Sequence, residues 1–385
     1  MIKIFHCGDI HLDTPFAQAP AHIGAAKRAA LREHFVYMMR TAKELGANVV
    51  LIPGDLFDGA LVQDATLEMM SAALEDVGCP VFISPGNHDA YTVGGVWDKI
   101  RLPENVYVFK SEALTRVDIS TLGISVFGYA FTSQAHASAP LDGLDPTALS
   151  DKNINLLCAH TDLYSPTSRY APITERQLER SGFVYAALAH VHKEPQLMQL
   201  GGTTAAYSGF AMGRGFDECG AGGAWLVTVE AQDEQLAVAT GKKYVTSAER
   251  VAISPAAFEI ETVDITGAHN DAQACEIIYR QLSGKRYQEM TSLRIVLTGA
   301  VPMTYTPSEA TVARLCDVTK SVQVCDMTVP ELDTAVLSAE LGIKGELYRV
   351  LVPMLEGDDP EQRRLAATAL KYALCAMAGQ DFLAE

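Results

Sequence analysis

No run of apolar residues in this chain of 385 residues approaches the roughly 18 needed to cross a bilayer. The N-terminal MIKIFHCGDIHLD turns polar too early for a secretory leader. Both absences point to a cytoplasmic protein with no membrane partner. The eight cysteines include no CxxC pair, which in a chain of this size predicts buried, reduced thiols instead of a disulfide framework. Basic residues are scarce: 30 Lys and Arg face 47 Asp and Glu, a formal net charge of -17. Residues 251–385 hold 11 basic against 19 acidic residues, a balance of -8, which leaves -9 for the remainder. A uniformly basic nucleic-acid-binding surface is thereby excluded, because neutralising phosphates needs clustered Lys and Arg. Internal repeats and low-complexity segments are also lacking.

What is present is the composition of a globular protein, 48% hydrophobic and 20% charged, enough to bury a large core. The length favours one large domain with a smaller addition. From the N-terminus, the strand pattern IKIFHCGDI, a helix over Gly24–Leu45 and the strand pattern NVVLIPGD form a βαβ unit. A helix over Asp64–Val77 then leads to PVFISPGNHD, another buried run ending in a Pro-Gly turn. Further strands are predicted at Val106–Phe109, Ile124–Tyr129, Ile154–His160, Phe183–His190 and Ala224–Val229. The fold class is α/β, a layered sandwich with mixed sheets over residues 1–255. A small α/β domain follows over 256–330, with strands Phe258–Ile265, Leu293–Thr298 and Val322–Val329 and helices Asp271–Leu282 and Ser308–Thr319. Residues 331–385 read as a helical tail of two stretches joined at Gly357–Pro360, with Pro360 where a helix begins.

Four polar clusters fall at the C-terminal ends of predicted strands: Gly8–His11 (GDIH), Gly54–Asp58 (GDLFD), Gly86–Asp89 (GNHD) and Ala189–His192 (AHVH). His160 ends a fifth strand. Singly, each reads as well as a turn with an Asx cap or a core histidine; together, they gather where open α/β sheets place their sites. Carboxylate and amide oxygens mixed with imidazoles suit Mn²⁺, Fe²⁺ or Zn²⁺. Two such ions need about six or seven protein ligands, and a shared carboxylate holds them roughly 3.5–4 Å apart, able to clamp a phosphoryl group and create a hydroxide nucleophile. Asp55 is the candidate bridge. The glycines before Asp9, Asp55 and Asn87 let the backbone turn sharply and approach the site closely. Cys7 lies within the first motif, where a soft thiolate is out of place, so it is expected to be a small core residue.

In this order the residues resemble the signature of the calcineurin-like metallophosphoesterase superfamily, D-x-H, GD, GNH[DE], H and H-x-H, at Asp9/His11, Asp55, Asn87/His88, His160 and His190/His192. The wording GDIHLD, GDLFD, SPGNHD and HVHK, with SGFAMGRGFDECGAGG beyond, is similar to the DNA-repair exonuclease branch, the SbcD- and YhaO-like relatives of the double-strand-break repair nuclease. The likeness covers about residues 1–230 strongly and the small domain only in outline, as a capping domain. It implies a first ion on Asp9, His11, Asp55 and His192 and a second on Asp55, Asn87, His160 and His190, with Mn²⁺ the expected metal. It also implies His88 as general acid or electrostatic stabiliser, with Asp89 orienting it. Some nuclease relatives carry a histidine where this chain has Asp58, so Asp58 is expected to support His88.

Three functions follow as expectations. One is a two-metal DNA phosphodiesterase, an exonuclease whose local cationic patch comes from Arg169, Arg176, Arg180, Lys193 and Arg214. The second is a phosphoesterase for a small nucleotide or another phosphoester, which needs no basic groove. The third is a subunit that docks a coiled-coil ATPase of the SbcC type through the tail helices. The resemblance also suggests a homodimer, for which Phe35, Met38 and Met39 offer an apolar helical face, although core packing explains them as well. The cations of the first helix, Lys27, Arg28, Arg32, Arg40 and Lys43, read as phosphate contacts or as a solvated face.

Overall fold

The structure, a computed structural model, describes residues 1–16, 21–59, 61–144, 149, 152–193, 196–240, 243–288, 290–302, 304–316, 318–331 and 334–377. The chain divides into two compact units, Met1–Ala257 and Phe258–Glu385.

The first unit begins with β1 (Ile2–His6), α1 (Ala21–Glu44), β2 (Val49–Ile52), α2 (Asp64–Asp76), β3 (Val81–Ile83), α3 (Val96–Lys99) and β4 (Val106–Val108). Strands β1 to β4 are parallel neighbours in that order, and consecutive right-handed crossovers place α1 and α2 on the same face, where they pack on each other. The chain continues through β5 (Thr115–Ile119), β6 (Ile124–Gly128), β7 (Ile154–His160), α4 (Glu175–Ser181), β8 (Tyr185–Ala189), β9 (Leu197–Leu200) and β10 (Thr203–Tyr207). It closes with β11 (Gly223–Ala231), α5 (Glu234–Thr240) and β12 (Tyr244–Ala252). Strands β11 and β12 return antiparallel to complete the first sheet, in the order β12-β11-β1-β2-β3-β4. The second sheet runs β5-β6-β7-β8-β10-β9.

The two sheets are the layers of the sandwich. Ile4, Leu51 and Phe82 from the first meet Val126, Leu156 and Ala187 from the second in one buried cluster. On the far side of the second sheet, Phe127, Leu157 and Ala186 pack with Leu141, Leu163 and Leu178. All four residues of β2 are buried, as expected of a strand covered on both faces. Cys7 is fully buried, with its thiol pushed up to about 12 by that burial, and all eight cysteines are free thiols.

Phe35, Met38 and Met39 are buried inside the chain, which selects core packing from the two readings given for them. Of the cations of α1, Arg40 and Lys43 lie on an exposed face, as the solvated-face reading has it, and Arg40 sits 3.9 Å from Glu44. Lys27 is buried, Arg28 donates to the Pro15 carbonyl, Arg32 pairs with Asp13 and Lys43 with Asp76. The predicted strand Phe183–His190 stops at Ala189 because His190 turns to φ 106°.

In the second unit, β13 (Phe258–Asp264), β14 (Ser292–Thr298) and β16 (Ser321–Asp326) form a parallel three-stranded sheet. It is connected through α6 (Asp271–Leu282) and α7 (Glu309–Leu315), and the short β15 (Ala300–Val301) pairs with β17 (Val329–Pro330). The helices α8 (Thr334–Ala339), α9 (Ile343–Leu355) and α10 (Pro360–Met377) follow. Tyr348 of α9 packs on Leu370 and Leu374 of α10, and Lys371 reaches Asp326 at 3.3 Å, so the tail helices belong to this unit. The end of the second predicted tail helix, 378–379, lies outside the described residues. No described helix is long and apolar enough to cross a membrane.

One buried group of the first unit makes stability depend on pH. His34 on α1 points Nε2 at the Ala211 carbonyl, 3.2 Å away, and its Nδ1 has no hydrogen-bond partner among the described residues. Burial lowers its pKa to about 4, so the folded chain refuses a proton that the unfolded chain accepts below about pH 6.5. Stability is therefore lost as pH falls from about 6.5 towards 4, by about 3 kcal/mol from this group. Denaturant midpoints measured from pH 7 to 4.5 are expected to fall less steeply for His34→Gln than for the native chain. Parallel curves would show that another group governs the acid loss.

Candidate metal centre

The loops that follow β1, β2, β3, β7 and β8 converge at one end of the sandwich. The first two are joined by backbone bonds: the Asp9 N–H donates to the Gly54 carbonyl, and those of Ile10 and His11 both donate to the Asp55 carbonyl. Four of the expected ligand residues, Asp9 (φ 49°), His11 (φ 53°), Asp55 (φ 49°) and His190 (φ 106°), have backbones in the left-handed region. Each such residue costs about 1–3 kcal/mol and persists only where its surroundings dictate it. The turn is thus made largely by the ligands themselves. Of the preceding glycines, only Gly54 has a positive φ, whereas Gly86 is required by close approach, since a Cβ there would overlap Asp55 Oδ1.

The second coordination layer decides which atoms of these side chains face inward. His11 Nδ1 meets Asp58 Oδ1 at 3.0 Å, and His192 Nδ1 meets Glu218 Oε1 at 2.7 Å. With its Nδ1–H donated to a carboxylate, His11 turns its Nε2 lone pair towards Nε2 of His192, 3.4 Å away. Likewise His160 Nδ1 faces the Pro53 carbonyl at 3.2 Å, which turns its Nε2 lone pair towards Asn87 Oδ1 at 2.9 Å. Acceptors aimed at acceptors in a buried site are what a cation satisfies. Asp9, His11, Asp55 and His192 offer ligand atoms all within 4.8 Å of one another. Asp55 Oδ2 lies 3.8 Å from His11 Nε2 and 3.5 Å from His160 Nε2, so one oxygen faces a histidine of each expected ligand set. His190 packs beside His160, with ring centroids 5.1 Å apart. The donor set fits divalent ions.

The electrostatics have the same origin. Burial raises the Asp55 carboxyl and lowers His160 and His190 to about 4, which keeps both imidazoles neutral and able to ligate. Burial also opposes the charge on His192, yet Asp9 and Glu218 lift it to about 10: without a cation, the protein places a proton between these carboxylates. Asp9 goes the other way, held below its usual range against burial by the neighbouring His192. It is fixed by the His190 N–H, 3.2 and 3.1 Å from its two oxygens, and by the Ser208 hydroxyl at 3.0 Å.

His88 stands at the exposed edge of the centre, and its Nδ1 is 3.4 Å from Asp58 Oδ1, which raises its pKa. Asp58 therefore serves both His11 and His88. The expectation that Asp89 orients His88 is corrected. Asp89 is buried and accepts from the N–H groups of Gly86, Leu56 and Phe57, so it ties the β2 and β3 loops together. Its pKa rises to about 7 through burial and the charge of Asp55. Arg214 is likewise not a free cation for DNA, because Glu218 and Asp58 hold its guanidinium at 2.6 and 3.1 Å. Glu218 as the partner of His192 is legible only in retrospect, within the Gly-Arg-x-Phe-Asp-Glu stretch. Arg169 and Lys193 each line a cavity that opens from the site.

A sandwich of two mixed sheets with this centre at its loop end defines a metallophosphoesterase. The chain belongs to the calcineurin-like phosphoesterase family, whose pattern matches residues 2–194, and the family acts with divalent metal ions. Over 311 residues it is 27% identical to YhaO of Bacillus subtilis strain 168, described as an uncharacterized metallophosphoesterase, across 78% of this chain and 72% of that protein. Among solved structures, TT1561 of Thermus thermophilus is similar with a TM-score of 0.36 and 13% identity, covering 54% of this chain and 89% of that one.

Removing the carboxylate behind a ligating histidine typically weakens metal binding about 10- to 100-fold. Glu218→Gln is expected to do so in a calorimetric Mn²⁺ titration while leaving thermal unfolding cooperative. Gly86→Ala is expected to lose at least as much, because the added methyl must displace Asp55. Native-like affinity in either variant would contradict the corresponding contact.

Proposed function

We propose that this chain is a two-metal, Mn²⁺-dependent phosphodiesterase that hydrolyses DNA from an end. The ions would sit on Asp9, His11, Asp55 and His192 and on Asp55, Asn87, His160 and His190. When bound, they supply charge neutralisation of the phosphoryl oxygens and a lowered pKa for the attacking water. The observation that carries the reading is the Asp58–His88 pair at the mouth of the centre. Asp58 engages Nδ1 of His88 and favours its protonated form, which leaves Nε2 as the acid. As the oxygen–phosphorus bond to water forms and the bond to the leaving oxygen breaks, His88 Nε2 passes its proton to the departing oxygen. A sugar alkoxide needs such an acid, and a nitrophenolate scarcely does.

The net charge of -17 supports engagement of a strand end over that of a long duplex, since affinity for a duplex scales with the phosphates neutralised. The same charge favours the second reading, hydrolysis of a small nucleotide in the cleft beside His88. A coiled-coil ATPase of the SbcC type belongs to the proposal as partner. Exposed Ile343 and Val350 on α9 are apolar contacts of the kind that a partner helix covers.

Release of nucleotides from end-labelled linear DNA is expected with Mn²⁺ and should be abolished by chelation or by Asp55→Asn. His88→Ala should lower the rate on DNA about 100-fold or more, with a smaller loss on bis(4-nitrophenyl) phosphate. Equal losses on the two substrates would remove the acid role. Turnover of the model diester by the native chain without any release from DNA would select the small-substrate reading.

A further inference from the structure

A cavity of about 450 Å³ opens directly from Asn87 and His88, and its wall includes Thr92, Ser133, Gln134, Arg169 and Tyr170. That volume is in the range that holds a small ligand. Its two acidic residues are already engaged: Asp58 with His11 and Arg214, and Asp89 with three backbone N–H groups. Arg169 differs from Arg32 and Arg214 in forming no ion pair among the described residues; its guanidinium lies 5.3 Å over the Tyr170 ring and donates to the Tyr170 hydroxyl at 3.1 Å. The cavity therefore presents one uncompensated positive charge.

The position of that charge is built into the fold. The Arg169 carbonyl accepts from the His136 N–H at 2.8 Å, and the Ala171 N–H donates to the His136 carbonyl at 2.6 Å. Ala171 is held at φ 48°, a conformation costly for a residue with a Cβ, and its carbonyl accepts from the Thr161 hydroxyl. The Tyr170 ring in turn rests on His190, 4.6 Å between centroids. Arg169 is thus aligned with the metal centre through a rigid stack, and stacking on an aromatic face pre-orients a guanidinium for a phosphate.

We propose that Arg169 is a specificity-determining residue that binds a second phosphate of the substrate on the leaving-group side of the scissile bond. The inference rests on the phosphodiesterase reading, in which His88 protonates the leaving oxygen; the cavity that shares the His88 wall then receives the leaving group. The substrate class it selects carries phosphates on both sides of one sugar, as in an oligonucleotide or a nucleoside bisphosphate.

Binding of thymidine 3′,5′-bisphosphate, thymidine 3′-monophosphate and thymidine 5′-monophosphate, measured by calorimetry in Mn²⁺-containing buffer, tests this. The native chain is expected to bind the bisphosphate about tenfold more tightly than either monophosphate, the margin of one charge-assisted contact. Arg169→Ala should erase that margin and Arg169→Lys should keep part of it. A margin intact in Arg169→Ala, equal weakening of all three ligands, or no margin in the native chain would each overturn the assignment. Turnover of bis(4-nitrophenyl) phosphate by the native chain is scored separately: its absence would count against the phosphodiesterase reading, while the binding margin still decides the role of Arg169.

Discussion

Two carboxylates, Asp9 and Asp55, lie wholly inside this protein with the imidazoles of His11, His160 and His192 turned towards them, and much of the surrounding structure serves to make that arrangement tolerable. Burying an unpaired anion costs several kcal/mol. Here the cost is met by backbone N–H groups from facing loops, by the Ser208 hydroxyl and by the cations that the site is shaped to hold. The left-handed backbones of Asp9, His11, Asp55 and His190 aim the side chains into one volume, and the hydrogen bonds between the β1 and β2 loops keep that strain from relaxing.

Around this centre lies a second layer of charge whose members are shared. Asp58 faces His11, His88 and Arg214; Glu218 faces His192 and Arg214. Arg214 thereby acts as a clasp between two carboxylates, each of which faces Nδ1 of a histidine in the expected ligand set. The acidic total of the chain is consistent with this sharing. The basic residues nearest the metal ligands are divided between those locked into the architecture, such as Arg214, and those facing a cavity, such as Arg169.

Much of this was legible in the chain itself. The parallel β1-β2-β3 core announced itself through short apolar runs, and the polar clusters stood at strand ends, where the family resemblance singled out Asp9, His11, Asp55, Asn87, His88, His160, His190 and His192. Strand β10 was not legible, because it is only five residues long and the alanine pair Ala205–Ala206, weak in strand preference, separates its strand formers. Strand β12 was missed because its alternation is of half-exposed and exposed residues at a sheet edge. Phe35, Met38 and Met39 carried two readings in the sequence because an apolar helical stripe looks the same whether it meets its own sheet or another protomer.

The sequence by itself determined the fold class and, through the order of its motifs, the expected ligand set and the chemistry it suits, because strand pattern and donor type are written in residue identity and spacing. Only the tertiary structure decided that Asp89 ties loops together, that Asp58 also reaches His11 and Arg214, that Glu218 stands behind His192 and that Arg214 is bound internally while Arg169 faces a cavity. These are relations between side chains up to 156 positions apart. Nothing local in the chain encodes such a distance, since it is set by where two sheets and their loops come to rest.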